Sequence, residues 1–167
     1  MTIENFTKMI TYIRKAYNND FFLNDPETQE IWYKFFEKLD ADAVKRSVDD
    51  HIRSSNKLPT IADIMDRYEY WIEHIRFVKQ EIAYCYESTF LYTPFDESKD
   101  NHGLFFSELN RYKTLDEKAE AARYFRDHVK EYYKEHSGEE GLSFSSVLNG
   151  LLKRYDERRV QKGHNSV

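Results

Sequence analysis

An all-α fold of about six or seven helices is what this sequence predicts, and three observations predict it. Apolar residues recur at spacings of three and four along most of the 167 residues. Five Gly and three Pro leave little material for hairpins, while 13 Tyr, 12 Phe and two Trp supply large side chains for packing helices together. The 33% of charged residues fits amphipathic helices with narrow buried stripes. No run approaches membrane-spanning length.

The elements follow in order. Thr2 caps a first helix whose stripe is Ile3, Phe6, Ile10, Ile13 and Tyr17, and Tyr17-Asn18-Asn19-Asp20 ends it. A Phe21-Phe22-Leu23 connector is expected to tuck into the core. Asp25 with Pro26 opens a second helix with a wide apolar face of Ile31, Trp32, Phe35, Phe36 and Leu39. Asp40 and Asp42 start a third, continued by Val44, Val48, His51 and Ile52 and closed by Ser54-Ser55-Asn56.

From Ile61 the pattern Ile64, Met65, Tyr68, Trp71, Ile72, Ile75, Val78, Ile82 and Tyr86 runs without Gly or Pro, a helix of about 40 Å at 1.5 Å per residue. Tyr92 to Gly103 reads as a loop. A short helix with Leu104, Phe105, Leu109 and Tyr112 follows, then a helix opened by the capping box of Thr114 and Glu117. Ser137 to Gly141 breaks the chain, and Ser143 caps a last helix carrying Val147, Leu148, Leu151, Leu152 and Tyr155. The expected organisation is an N-terminal bundle over 1–68, a long connecting helix over 69–92, a C-terminal helical subdomain over 104–160 and a flexible tail over 161–167. Asp50-His51-Ile52 recurs as Asp127-His128-Val129, with Arg46 and Val48 matched by Arg123 and Phe125. A diverged helical duplication is one reading of this echo, but no fixed period extends it to the Arg-Tyr pairs at 67–68 and 154–155, so coincidence among similar helices is the simpler one.

No catalytic constellation emerges. There is no phosphate-cradling Gly-rich loop and no His-Glu-x-x-His, and no histidine has a Glu three residues before it. The expectation is no catalytic residue, no cofactor and no metal. His128 and His136 read as solvated helix polarity, His51 as a hydrogen-bonded structural histidine, and the single Cys85 as a small buried hydrophobe. Met1 to Ile10 lacks the pattern of a signal peptide, and a lone cysteine makes no intrachain disulfide, which predicts a cytoplasmic setting.

A net charge of −5 disfavours phosphate neutralisation as the main task. Lys153, Arg154, Arg158 and Arg159 nevertheless cluster on the last helix as a candidate nucleic-acid surface, diluted by Asp156 and Glu157. Protein contact is the stronger case, because Tyr and Trp dominate interface hot spots. On the long helix, Tyr70, Phe77 and Tyr84 form a row apart from Ile64, Trp71, Val78 and Tyr86, so its middle needs a second helix layer, a partner or a second copy of the chain. Tyr68, Trp71, Phe77 and Tyr84 are the candidate partner-binding residues.

Trp32, Leu39, Val44, Val48, Ile52 and the element Leu58-Pro59-Thr60-Ile61-Ala62-Asp63-Ile64, with the opening helix Ile10 to Tyr17, resemble the N-terminal domain of the bacteriophage replicative-helicase loader/inhibitor family over about the first 70 residues. The resemblance implies a helical phage protein, working in the host bacterial cytoplasm, that binds the hexameric replicative helicase, holds it inactive and hands it to an origin-bound initiator. Members of that family have no catalytic residues of their own. They often carry proline where this chain has Asn18, and their C-terminal portion is typically short and flexible, whereas Leu104 to Tyr155 here reads as folded helices. The expected function is therefore a non-enzymatic replication regulator that binds a replicative helicase or another replication protein. The alternatives are an inhibitor of a host defence or host enzyme, and a nucleic-acid-binding replication protein using the basic last helix.

Overall fold

The computed structural model describes residues 1–164, the last three by backbone alone. The described residues form seven helices and no strand: α1 (Ile3–Tyr17), α2 (Pro26–Phe36), α3 (Ala41–Ser54), α4 (Ile61–Thr89), α5 (Lys99–Leu109), α6 (Leu115–His136) and α7 (Phe144–His164). They divide into two compact units, Met1–Arg76 and Phe77–Val167, with the division falling inside α4. None of the described helices is long and apolar enough to cross a membrane.

Unit 1 is built on caps that the sequence announces. Thr2 accepts from the Asn5 amide, Asp25 from Thr28, and Asp40 from Asp42 and Ala43, each satisfying an amide that the first turn leaves unpaired. α1 ends at Asn18 in the left-handed region, φ 49°, a conformation that proline's fixed φ forbids. The turn here therefore differs from one built on proline. The core joins Phe6, Ile10 and Ile13 of α1, Trp32 and Phe36 of α2, Val44 and Val48 of α3, and Ile64 of α4. Burying a side chain of this size contributes about 1.5–3 kcal/mol.

Two expectations fail here. The Phe21–Leu23 connector is pinned through its backbone, because Arg14 donates from Nε to the Phe22 carbonyl (2.8 Å) and from Nη2 to that of Leu23 (2.9 Å). Phe22 and Leu23 then reach the core, but Phe21 points out and is 83% exposed. The apolar face of α2 is also narrower than its sequence suggests. Trp32 and Phe36, one turn apart, are buried, while Ile31 and Phe35 are exposed.

Unit 2 packs Val78, Ile82, Cys85 and Tyr86 of α4 against Phe105 and Leu109 of α5, Phe125 and Val129 of α6, and Val147, Leu148 and Leu151 of α7. α5 begins at Lys99, inside the stretch expected to be loop, because Ser98 accepts from the Asn101 amide and so starts the helix before Gly103. Thr114 and Glu117 form the capping box that the sequence predicts for α6. α6 and α7 approach closely: a Cβ added at Gly150 would lie 2.0 Å from the Tyr132 hydroxyl oxygen. α7 runs on through Gln161–His164, so the tail expected from residue 161 is helical there. Residues 165–167 of that tail lie outside the described residues.

Candidate interaction surfaces

The four α4 residues singled out from the sequence separate into two kinds. Tyr68 packs against the unit 1 core, and its hydroxyl accepts a hydrogen bond from the Asp40 amide at 3.1 Å, tying α4 to the start of α3. Trp71 is half-buried. Its Nε1 donates to Asp50 at 2.7 Å, and the Arg46 guanidinium lies 4.9 Å from its ring centroid. Both residues therefore serve the unit's own packing. Phe77 and Tyr84 are 65% and 58% exposed, and Tyr70, which the candidate set omits, is 64% exposed.

Sequence periodicity also places Ile3 on the apolar stripe of α1, where it is 59% exposed, and misses Phe21, Ile31 and Phe35 in unit 1 and Leu91 in unit 2 as exposed apolar side chains. No signal within α2 separates Ile31 and Phe35 from Trp32 and Phe36, because both pairs lie four residues apart on adjacent stripes and the neighbouring helices decide which stripe is covered. A groove of about 330 Å³ between α1 and α3 has Met9, Val44 and Val48 on its floor and Lys8, Tyr12 and Lys45 among its walls.

The basic cluster of α7 is largely occupied by its own chain. Arg154 pairs with Glu135 at 3.2 Å and Arg159 with Glu117 at 2.7 Å, while Arg158 lies over the Tyr124 ring and reaches His128 Nε2 at 3.4 Å. Lys153 is exposed. Two of the four cations thus already face carboxylates, which lowers the positive potential available to a phosphate backbone. Arg159 and the Thr114 and Lys113 amides hold the Glu117 carboxyl below its ordinary range.

The histidines and the cysteine singled out from the sequence sit within the packing of their own units. Each of His128 and His136 has Nδ1 at 2.8 Å from the carbonyl four residues back, which makes that nitrogen the donor, and stacks on that same tyrosine, Tyr124 or Tyr132. Among the described residues no group of three or more His, Cys, Asp or Glu could hold a metal ion. His51 is buried, as expected of a structural histidine, with Nε2 at 2.9 Å from the Lys57 carbonyl. Cys85 is fully buried and burial pushes its thiol up, away from the reactive thiolate. Burial likewise pushes the Tyr112 and Tyr155 hydroxyls up to about 12; they donate to Asp156 and Glu120.

The Leu58 to Ile64 element closes the description of unit 1. Thr60 and Asp63 cap each other: the Thr60 amide donates to the Asp63 carboxylate at 2.8 Å and the Asp63 amide to the Thr60 hydroxyl at 3.2 Å. Pro59 is buried ahead of them and Ile64 is fully buried behind. Residues 1–65 match the family model for the N-terminal domain of the gp39 protein. This is the phage helicase loader/inhibitor family that the same residues resemble. The match ends within the first turns of α4, inside unit 1. No curated protein and no solved structure matches the chain. The matched residues include the helix caps and the buried core of unit 1, and unit 2 lies outside the match.

Proposed function

We propose that this chain is a non-enzymatic regulator of DNA replication, acting in the cytoplasm of a phage-infected bacterium, that binds a replicative helicase and inhibits or loads it. The observation that carries the reading is the match of residues 1–65 to the gp39 N-terminal domain, a phage helicase-associated family. Exposed aromatic residues support a mechanism of stoichiometric protein contact, since large side chains that lose water at an interface contribute most of its energy. Phe77 and Tyr84 are the residues assigned to that contact; Tyr68 and Trp71 are assigned to folding.

The test is a titration of purified full-length chain into a bacterial replicative helicase, read by complex formation and by DNA unwinding. Binding at micromolar concentration or tighter, weakened by Phe77→Ala and Tyr84→Ala with the melting temperature unchanged, is expected. Absence of any complex removes the helicase from the proposal. Salt-sensitive DNA binding lost on neutralising Arg154, Arg158 and Arg159 together would favour the nucleic-acid reading instead.

A further inference from the structure

Unit 1 has the helices α1, α2, α3 and the first part of α4; unit 2 has the last part of α4, then α5, α6 and α7. The connections run in the same order of lengths. In unit 1 they span residues 18–25, 37–40 and 55–60, and in unit 2 residues 90–98, 110–114 and 137–143, each one residue longer than its counterpart. The second helix is eleven residues long in both units, α2 and α5.

The agreement extends to register. Asp25 and Ser98 each cap the second helix by accepting from the amide three residues on. The buried residues of that helix are its seventh and eleventh in both, Trp32 and Phe36 in α2, Phe105 and Leu109 in α5. Three residues past its end the chain turns the same way, with the Leu39 amide donating to Phe36 and the Tyr112 amide to Leu109, at 3.0 and 3.1 Å. Phe6, Ile10 and Ile13 on the first helix correspond at one fixed offset to Val78, Ile82 and Cys85, all buried.

The fourth helix repeats its opening as well. Thr60 and Asp63 cap each other ahead of fully buried Ile64, and Ser143 and Ser146 cap each other, amide to hydroxyl both ways, ahead of fully buried Val147. The third helix differs most in size, 14 residues in α3 against 22 in α6. The Arg-Tyr pairs of the sequence echo do not correspond, since the equivalent of Tyr68 counted from the two caps is Leu151. A shared amphipathic period accounts for helices; it does not fix three loop lengths, a cap and two buried positions at once.

We propose that unit 2 is a second, diverged copy of the domain in unit 1, which makes the chain a tandem of two domains of one fold and extends the fold of the gp39 N-terminal domain to a segment its match does not reach. Positions then carry across: Tyr84 in unit 2 is the counterpart of Tyr12 in unit 1, and both are exposed. The test exchanges equivalent segments in the full-length chain, residues 98–112 replacing 25–39, fifteen for fifteen. A control graft of residues 97–111 at the same place puts Leu104 and Glu108 where Trp32 and Phe36 stood. Thermal unfolding is followed by circular dichroism and by Trp71 emission, and the reciprocal pair of grafts is made in unit 2. The expected result is a cooperative transition for the in-register grafts, at least about 10 °C above the control or with the control unfolded, since a buried carboxylate and lost core volume cost several kcal/mol. In-register and control grafts melting alike, folded or unfolded, overturns the repeat. The outcome is independent of any helicase, so its failure and that of the proposed function are separable.

Discussion

Units 1 and 2 reach the same order of helices with different side chains. Unit 1 centres on Trp32 and Phe36 with β-branched Val44, Val48 and Ile64 around them; unit 2 centres on Phe105, Phe125 and Phe144 with a leucine-rich α7. Unit 1 seals its α3–α4 pair with Trp71 on Asp50 and Arg46, whereas unit 2 lines its α6–α7 pair with arginines over tyrosines. What the two hold in common is caps, helix starts and buried register. These fix a helical arrangement while the residues filling it drift.

Both tryptophans, Trp32 and Trp71, lie in unit 1, so their emission reports on that unit alone. Phe36→Ala and Phe105→Ala each empty a fully buried phenylalanine site and should each cost about 3–5 kcal/mol. The first is expected to lower the urea midpoint of tryptophan emission, the second to lower the circular-dichroism midpoint while leaving that emission in place. Coincident shifts in both signals would show that the units unfold as one.

Alkali should act next, and on unit 2. Tyr112 and Tyr155 hold their protons to about pH 12 in the fold, against about 10 when unfolded. The folded state therefore binds more protons between those values, so their contribution is full below pH 10 and lost as pH rises toward 12. Circular dichroism is expected to fall in that window before tryptophan emission moves, and Tyr112→Phe with Tyr155→Phe to flatten the loss.

Smaller effects refine the match between copies. Tyr12→Ala and Tyr84→Ala remove exposed counterparts, and each is expected to weaken helicase binding about fivefold if both domains dock as the repeat suggests; an effect from Tyr84 alone would confine docking to unit 2. Thr60→Ala and Ser143→Ala delete equivalent helix starts and should each cost about 1 kcal/mol in chemical denaturation. Gly150→Ala should lower the melting temperature slightly, because a Cβ 2.0 Å from the Tyr132 hydroxyl oxygen and 2.6 Å from its Cζ forces the ring to shift, and the gain of about 1 kcal/mol in helix propensity offsets only part of that cost.

Helix starts were legible in the sequence because capping is local: Asp25, Asp40 and Thr114 act on amides two or three residues away. The burial of Ile13, Phe36, Val48 and Leu148 followed from the period alone. Exposure was harder to read, since Ile31 and Phe35 have the composition of core residues and only the neighbours of α2 decide which stripe is covered. The roles of Tyr68 and Trp71 depend on Asp40 and Asp50, which lie 28 and 21 residues away in the chain. The pairing of Arg154 and Arg159 with Glu135 and Glu117 likewise needed the α6–α7 arrangement. The sequence echo is not part of this repeat, since Asp50 and Asp127 stand 77 residues apart while α3 and α6 start 74 apart and α4 and α7 83 apart; the register shifts because α6 is eight residues longer than α3, so no constant period carries it.

The three connections that each grew by one residue have a practical corollary. A flexible loop lengthens at little cost, about 0.6 kcal/mol per doubling, because its closure entropy rises only with the logarithm of its length. The stretch from Ser137 to Gly141 is solvent-exposed, and Gly138 has open space where a side chain would begin. It is the place to insert a peptide tag or a fluorophore attachment site, leaving both helix caps and the faces of Phe77 and Tyr84 untouched while a partner is sought.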